Sequence, residues 1–192
     1  YSDDWEMTTG SDKVRFRANI DAIKLLKQIE AESRYATTEE QDVLSHYVGW
    51  GGLSSAFDEK NTSWSEEYKE LKSLLSESEY KAARGSVTDS FYTPREVIDG
   101  VYEALKHMGF KGGNILEPSC GVGNFYNAMP EDMLKSSRLY GVELDSISGR
   151  IAQLLHPEAN IKVMGFEKAD LEDNFYDLVI GNVPFGSFKV YD

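Results

Sequence analysis

The stretch NILEPSCGVGNF, from Asn114 to Phe125, decides the fold class of this chain. Its first four residues predict a short strand, and Gly121 and Gly123 let the backbone turn tightly and approach a ligand with no Cβ in the way. A helix beginning near Asn124 would direct its free N–H groups towards that ligand. A G-x-G turn is not specific by itself, because glycine also fills ordinary turns. Its meaning therefore depends on the elements around it.

Short apolar segments and helical stretches alternate after this turn. The segments 139–143, 161–163 and 176–180 predict further strands, and the stretches 124–129 and 146–155 predict helices. Strands that alternate with helices predict a parallel sheet with right-handed crossovers, on which ligands bind at the carboxyl ends of the strands. The predicted fold class is therefore α/β, with a Rossmann-like sheet that ends after its fourth strand.

The first half of the chain differs from the second, because its sequence pattern predicts helices throughout. Thr38 with Gln41 predicts a capping box for the second helix, which the glycines of 49–52 end. We therefore predict an all-α region over residues 1–88 and a second part over residues 89–192.

Two further helix starts are marked by capping residues. Ser76 with Glu79 predicts the cap of a helix that ends near residue 85, and Thr93 followed by Pro94 predicts an N-cap and a first helical residue. The apolar positions of the helix after Pro94 are Val97, Val101, Leu105 and Met108.

Composition limits the function classes. The 192 residues carry a formal net charge of −13, so we do not expect this segment alone to bind a phosphate backbone strongly. No apolar run is long enough for a membrane helix, and no signal peptide opens the chain. The single cysteine, Cys120, excludes an internal disulfide and fits a reducing cytoplasm, and the 3 histidines lack metal-ligand spacing. The first residue is not Met, so we expect the chain to be part of a longer protein.

The end of the second predicted strand carries an acid. Glu143 follows the glycine loop by about 20 residues, the position from which a carboxylate accepts hydrogen bonds from ribose hydroxyls. The glycine loop and this acid together indicate an adenosine-containing ligand, either a nicotinamide dinucleotide or S-adenosylmethionine. Two features favour the second: Tyr126 stands where a dinucleotide loop has its third glycine, and Glu117-Pro118 places a carboxylate where an ammonium group is preferred to phosphate.

Three motifs together resemble the adenine-specific DNA methyltransferases. EPSCGVGNF (Glu117 to Phe125) resembles their S-adenosylmethionine motif, NVPF (Asn182 to Phe185) their N-P-P-F/Y catalytic motif, and SFYTP (Ser90 to Pro94) the motif that precedes the glycine loop. The likeness covers about residues 89 to 186. In the helical part, YVGWGGLSSAFD (Tyr47 to Asp58) resembles the segment before the methylase in large fusions with Swi/Snf-type helicases, which are carried by bacterial mobile elements and phages.

The resemblance implies a role for each matching residue at the cofactor. Tyr92 and Thr93 would contact its methionine end, and Thr93 also has an explanation as a helix cap. The remaining implied cofactor residues are Glu117 and Pro118 at the amino group, Gly121 and Gly123 at the backbone, Glu143 at the ribose, and Phe166 and Glu167 at the adenine. The motif at 165–167 departs from the family's Asp-Phe pair, and Phe166 is as readily explained as a core residue.

The catalytic motif implies a way to activate a poor nucleophile. The exocyclic amine of adenine would donate hydrogen bonds to the Asn182 side chain and to a neighbouring carbonyl at Val183, which would orient the amine for transfer. Phe185 would stack on a base flipped out of the duplex. Val183 replaces the family's first proline and loses its fixed φ while keeping the carbonyl, and Pro184 matches the second.

The leading hypothesis is therefore S-adenosylmethionine-dependent methylation of adenine in DNA, as a fragment that is inactive alone. The implied partners are DNA, through the intact protein, and a helicase region of the same polypeptide, with no metal and no membrane. One alternative is a methylase-like binding or scaffolding module without methyl transfer, motivated by Val183 and the acidic charge. A protein or RNA methyltransferase is another. Trp50 would either stack on a base or, as is commoner beside a helix end, lie in the core.

Overall fold

The computed structural model describes residues 11–88 and 92–183 of the chain. Helices dominate the first of these ranges, and strands alternate with helices in the second. The α-helices are α1 (Asp12–Glu32), α2 (Thr38–Ser45), α3 (Ser65–Leu74), α4 (Glu77–Gly85), α5 (Arg95–His107), α6 (Asn124–Asn127), α7 (Glu131–Lys135) and α8 (Ser146–Leu155). The strands are β1 (Asn114–Glu117), β2 (Arg138–Glu143), β3 (Asn160–Val163) and β4 (Leu178–Val179).

The four strands form one parallel sheet in the order β3-β2-β1-β4. Ile115 of β1 pairs with Leu139 of β2 on one side and with Leu178 of β4 on the other. The strand order reverses at β1, so β1 and its neighbours end at the crevice where α/β sheets hold ligands. The predicted Rossmann-like α/β fold after an all-helical region is confirmed.

The helical region and the sheet region share one hydrophobic core. Phe16 and Leu26 of α1 belong to the same cluster of buried side chains as Ile147 and Ile151 of α8 and Val122 of the glycine loop. An ionic contact adds to this interface, because the Arg150 guanidinium lies between carboxylates of α1 and α4. The predicted boundary at residues 88 and 89 thus separates two kinds of secondary structure that pack directly on each other.

Several local predictions need correction. The capping box of α2 is formed by Thr37 and Glu40: the Thr37 side chain accepts from the Glu40 N–H, and the Glu40 side chain accepts from the Thr37 N–H. The predicted cap at Thr38 is therefore one residue too late in the chain. Pro94 takes the N-cap position of α5, and no side chain caps that helix, so the Thr93 cap is wrong. The α5 side chains that are buried are Ile98, Tyr102 and Leu105, whereas Val97 and Met108 are exposed.

Other local predictions are confirmed. Ser76 and Glu79 form the capping box of α4, and the predicted helix at 146–155 has the same bounds as α8.

The fourth strand is shorter than the predicted segment 176–180, and α7 was not predicted. Across the described ranges no helix has the length and apolar character that a bilayer crossing requires.

Candidate functional site

A cavity of about 580 Å³ opens where β1, β2 and β4 end. Within the described ranges, every predicted site residue except Gly123 lines this cavity. These residues are Tyr92, Thr93, Glu117, Pro118, Gly121, Glu143, Phe166, Glu167, Asn182 and Val183. Residues that are 90 positions apart in the chain therefore meet at one edge of the sheet, as the parallel topology requires.

Gly121 brings the glycine loop close to an aromatic ring. Its φ is +56°, and a Cβ placed on it would stand 2.9 Å from Cε1 of Tyr92, so any side chain there would displace the ring. The Gly121 N–H also donates to Oε2 of Glu143 over 2.7 Å. The loop that follows β1 is thus tied to the acid that ends β2.

Gly123 has a different role from the one predicted. Its φ is +86°, and a Cβ would lie 2.4 Å from Nε2 of His156, a ring that packs edge-on against Tyr126. Gly123 therefore lets the loop pack against the residue that follows α8, and it is absent from the cavity lining. Burial lowers the pKa of His156 to about 4, so this contact involves a neutral imidazole at pH 7.

Glu117 is the most unusual group of the site. Its side chain is 3% exposed, and its Oε2 atom has no hydrogen-bond partner. Burial, followed by the nearby charge of Glu143, raises the pKa of Glu117 well above its ordinary value. A buried carboxylate without a cation is costly, so this position favours a ligand that brings a positive charge or a hydrogen-bond donor.

Glu143 is held by the backbone on both sides. Its Oε1 accepts from the Asp145 N–H and its Oε2 from the Gly121 N–H, each over 2.7 Å. Burial raises the pKa of Glu143, and these backbone hydrogen bonds act in the opposite direction. Because an ionised carboxylate has about four lone-pair sites, acceptor capacity remains for two hydroxyl groups of a ligand.

Apolar side chains surround the mouth of the cavity. Phe166 is 51% exposed and lines the cavity, so its interpretation as a core residue is wrong. Leu144 and Met164 are also exposed large apolar side chains that line the cavity, and Glu167 beside them is exposed to solvent. A flat, weakly polar group such as a purine ring suits this edge.

The catalytic motif begins where β4 ends. Asn182 and Val183 are exposed and line the cavity, on the same sheet edge as Glu117. Pro184 and Phe185 lie outside the described residues, as do Ser90 and Phe91 of the motif before the glycine loop.

The helical region supplies a wall of the cavity, which the sequence did not indicate. The lining residues from this region are Tyr47, Gly49, Trp50, Ser86 and Thr88. Trp50 is 1% exposed, and its ring packs edge-on against Phe57 with 5.4 Å between ring centroids. The structure therefore supports the core interpretation of Trp50, and stacking of its ring on a base is wrong.

Neither metal nor thiol chemistry is indicated in the described ranges. No group of three or more His, Cys, Asp or Glu side chains is placed there to hold a metal ion. Burial and the neighbouring carboxylates raise the pKa of Cys120, which keeps its thiol protonated at neutral pH.

Comparisons with known proteins return Type II methyltransferases and a phage protein. The chain is 33% identical to the "Defense against restriction protein B" of Escherichia phage P1 over 91% of this chain and 6% of that protein. It is 39% identical to the Type II methyltransferase M.CvrRI of a Paramecium bursaria Chlorella virus over 50% of this chain and 24% of the relative. The Type II methyltransferase M.VspI of a Vibrio strain is 26% identical over 92% of this chain and 39% of the relative. The chain thus spans less than half of each of these relatives, and no protein-family model matches it.

Proposed function

We propose that the cavity binds S-adenosylmethionine and that the chain, as part of a larger protein, methylates the exocyclic amino group of adenine in DNA. The observation that carries this proposal is the unpartnered, buried Glu117 carboxylate on the cavity wall. The methionine end of S-adenosylmethionine carries an ammonium group, which would supply both the charge and the donors that this carboxylate lacks.

The other lining residues fit the rest of the cofactor. Glu143, whose carboxylate the backbone fixes, would hold the ribose hydroxyls, and Phe166 would pack on the adenine, with Glu167 accepting from its amino group. Tyr92 and Thr93 would border the methionine end. When bound, the cofactor supplies an activated methyl group on its sulfonium.

The same lining argues against a dinucleotide, the alternative that the sequence left open. No Lys or Arg is among the described residues that line the cavity, whereas three glutamates (Glu117, Glu143 and Glu167) and Asp145 are. A pyrophosphate would bring two negative charges to these carboxylates with no cation to compensate. A cationic ligand is therefore favoured by the charge of the site.

Asn182 would act on the amine that accepts the methyl group. Asn182 lines the cavity, and its side-chain oxygen can accept a hydrogen bond from that amine, with the carbonyl of Val183 as a second acceptor. Two such bonds would hold the nitrogen with its lone pair directed into the cavity and would stabilise the positive charge that develops on it. Pro184 and Phe185 complete the proposed motif, with Phe185 stacking on the flipped base.

DNA and a helicase region of the same polypeptide are the proposed partners. Two of the relatives are Type II methyltransferases by name, and one is a phage protein of which this chain matches only 6%. A segment of a large phage-type protein that also contains a helicase, working in the cytoplasm, is consistent with both observations. Binding of the phosphate backbone would then depend on other parts of that protein.

A second candidate function is cofactor binding in this cavity without methyl transfer. Val183 lacks the fixed φ of the proline that the catalytic motif usually has, and it is half exposed at the cavity mouth. If this looseness prevents alignment of the amine, the chain would be a cofactor-binding or scaffolding module. Methyl transfer to a protein or RNA amide or amine is a further possibility, because the same motif geometry suits those acceptors.

The decisive experiment separates binding from transfer. Titration calorimetry of the chain with S-adenosylmethionine should show one site, and absence of binding would overturn the whole proposal. Transfer of a labelled methyl group is then measured for the intact protein with DNA, RNA and protein acceptors. Asn182→Ala should abolish transfer to DNA adenine while changing the cofactor Kd less than about twofold. Binding without transfer to any acceptor would favour the scaffolding module.

A further inference from the structure

One aromatic ring joins the helical region to the glycine loop. The Tyr92 ring lies between two glycines: a Cβ on Gly49 would be 3.3 Å from its Cε2, and a Cβ on Gly121 would be 2.9 Å from its Cε1. Gly49 has a φ of +67°, a backbone conformation that favours glycine, and a Cβ there would be in tight contact with the ring. The position of the ring therefore depends on where the Gly49 turn is held.

A buried amide of α1 holds the first residues of that turn, and Arg15 of the same helix donates to the Gly51 carbonyl further along it. Asn19 of α1 is 0% exposed, its Nδ2 donates to the Gly49 carbonyl over 2.6 Å, and its Oδ1 accepts from the Val48 N–H over 2.9 Å. A buried amide is stabilising only when both of its ends are bonded, and here both ends bond to the same turn. The turn is thus fixed to α1 by a side chain that does not reach the cavity itself.

We propose that Asn19 is a positioning residue of the cofactor site, acting through Gly49 and Tyr92 on the Gly121 loop. This inference rests on the proposed cofactor, and it adds that the helical region is part of the binding site. Gly121 in turn donates to Glu143, the acid proposed to hold the ribose. Displacement of the Tyr92 ring would therefore disturb the glycine loop and the acid together.

The alternative is that Asn19 only stabilises the fold. In that case, its loss would lower the melting temperature of the chain without changing the affinity of the folded molecules for cofactor. The two roles are therefore separated by the Kd for S-adenosylmethionine, measured well below the melting temperature of each variant.

Asn19→Leu removes both hydrogen bonds and keeps a side chain that branches at Cγ. The expected result is a Kd for S-adenosylmethionine about tenfold weaker than that of the unchanged chain, by titration calorimetry. Ile29→Ala is the matched control, because Ile29 is equally buried on α1 and lies about three turns, or about 15 Å, further along the helix than Asn19. It should lower the melting temperature and leave the Kd within about twofold. An unchanged Kd for Asn19→Leu would overturn the inference.

A double-mutant cycle tests the route through Tyr92. In a Tyr92→Ala background, Asn19→Leu should weaken binding no further, whereas fully additive losses would show that Asn19 acts by another path. If Asn19→Leu fails to fold, Gly49→Ala tests the same route, because its Cβ would press directly on the Tyr92 ring. Its control is Gly109→Ala, which has a similar φ of +83° and open space around it. A loss of affinity for Gly49→Ala alone supports the inference, and equal effects of the two variants overturn it.

These outcomes are distinct from failure of the proposed function. If the unchanged chain does not bind S-adenosylmethionine, the cofactor proposal is wrong and the inference about Asn19 falls with it. If the unchanged chain binds and Asn19→Leu binds equally well, only the inference about Asn19 is wrong.

Discussion

Replacement of Glu117 by Gln should move folding stability and cofactor affinity in opposite directions. In the free chain the Glu117 carboxylate is buried, and one of its oxygens has no partner. Gln has nearly the same shape and carries no charge, so it removes the cost of burying an unpaired ion. An unpaired charge in the interior costs more than an unsatisfied neutral group, which Gln remains, and we expect the free energy of unfolding at pH 8 to rise by about 1–3 kcal/mol. For a chain of this length each kcal/mol corresponds to about 2–4 °C in Tm.

Cofactor affinity should fall in the same variant. A hydrogen bond between charged groups contributes about 1.5–3 kcal/mol, and Gln would replace the carboxylate that we propose to pair with the ammonium group. The Kd for S-adenosylmethionine should therefore weaken by about 10- to 150-fold.

The pH dependence of Glu117 gives these changes a definite sign. Burial raises the pKa of this carboxyl above its ordinary 4.5, so the folded chain binds the proton more tightly than the unfolded chain does. The stabilising contribution of the protonated Glu117 carboxyl is therefore fully present below pH 4.5. It is lost as the pH rises from 4.5 through the pKa that Glu117 has in the folded chain. Affinity for the ammonium group should rise over the same window, because binding requires the ionised form. Glu117→Gln should weaken the pH dependence of both the folding stability and the cofactor affinity.

Thermal unfolding and titration calorimetry from pH 5 to pH 8 measure these quantities directly. Glu158→Gln is the matched control, because Glu158 is exposed and remote from the cavity lining, and both its Tm and its Kd should be unchanged. A variant at Glu117 with a lower Tm and an unchanged Kd would refute the reasoning. That result would mean that the carboxylate already has a stabilising partner in the free chain and does not contact the ligand.

Three other changes test separate parts of the structure. Gly121→Ala should weaken cofactor binding at least about tenfold in calorimetry, because its Cβ would stand 2.9 Å from the Tyr92 ring, whereas Gly109→Ala should not. Arg150→Met should lower the free energy of unfolding in urea by about 1–3 kcal/mol, because it removes the ion pairs between α8 and two helices of the first half, and added salt should reduce the difference. Val183→Pro should raise the methylation rate of the intact protein with an unchanged cofactor Kd, because proline fixes φ at the cavity mouth; a lower rate would show that the Val183 conformation is the one required.

Local signals predicted the elements that carry the site. The capping box at Ser76 and the bounds of α8 follow from side chains within a few residues of each other, and such signals are legible in a sequence. The same kind of signal also produced errors of one position. Thr37 and Thr38 are both plausible caps, and the choice between them depends on which residue three positions later can reach back, which Glu40 does.

Long-range contacts limited the prediction of the site. The sequence treats Gly121 and Gly123 alike, but one meets Tyr92 and the other meets His156, and neither partner can be read from the loop itself. The wall supplied by Gly49 was missed for the same reason, because a turn between helices shows no sign of the Tyr92 ring against which it packs. Buried groups such as Glu117 could be named as site residues, but their lack of a partner emerges only from the folded chain.

The ion pairs of the helical region bear on how DNA would be held. The basic residues near the start of α1 are the densest cationic group of the sequence, but Lys13 pairs with Glu67, and Arg17 shares Glu70 with Lys24. Cations already paired with carboxylates lose much of their attraction for phosphate, and the cavity edge itself is acidic. Within the described ranges, the features that suit a nucleic acid are therefore the acceptors and apolar side chains at the cavity mouth, which under the proposed function would contact a base. A chain arranged in this way would recognise one extruded nucleotide and leave the duplex to other parts of the intact protein. Its contribution to DNA affinity should consequently depend weakly on salt, unlike that of a phosphate-binding surface.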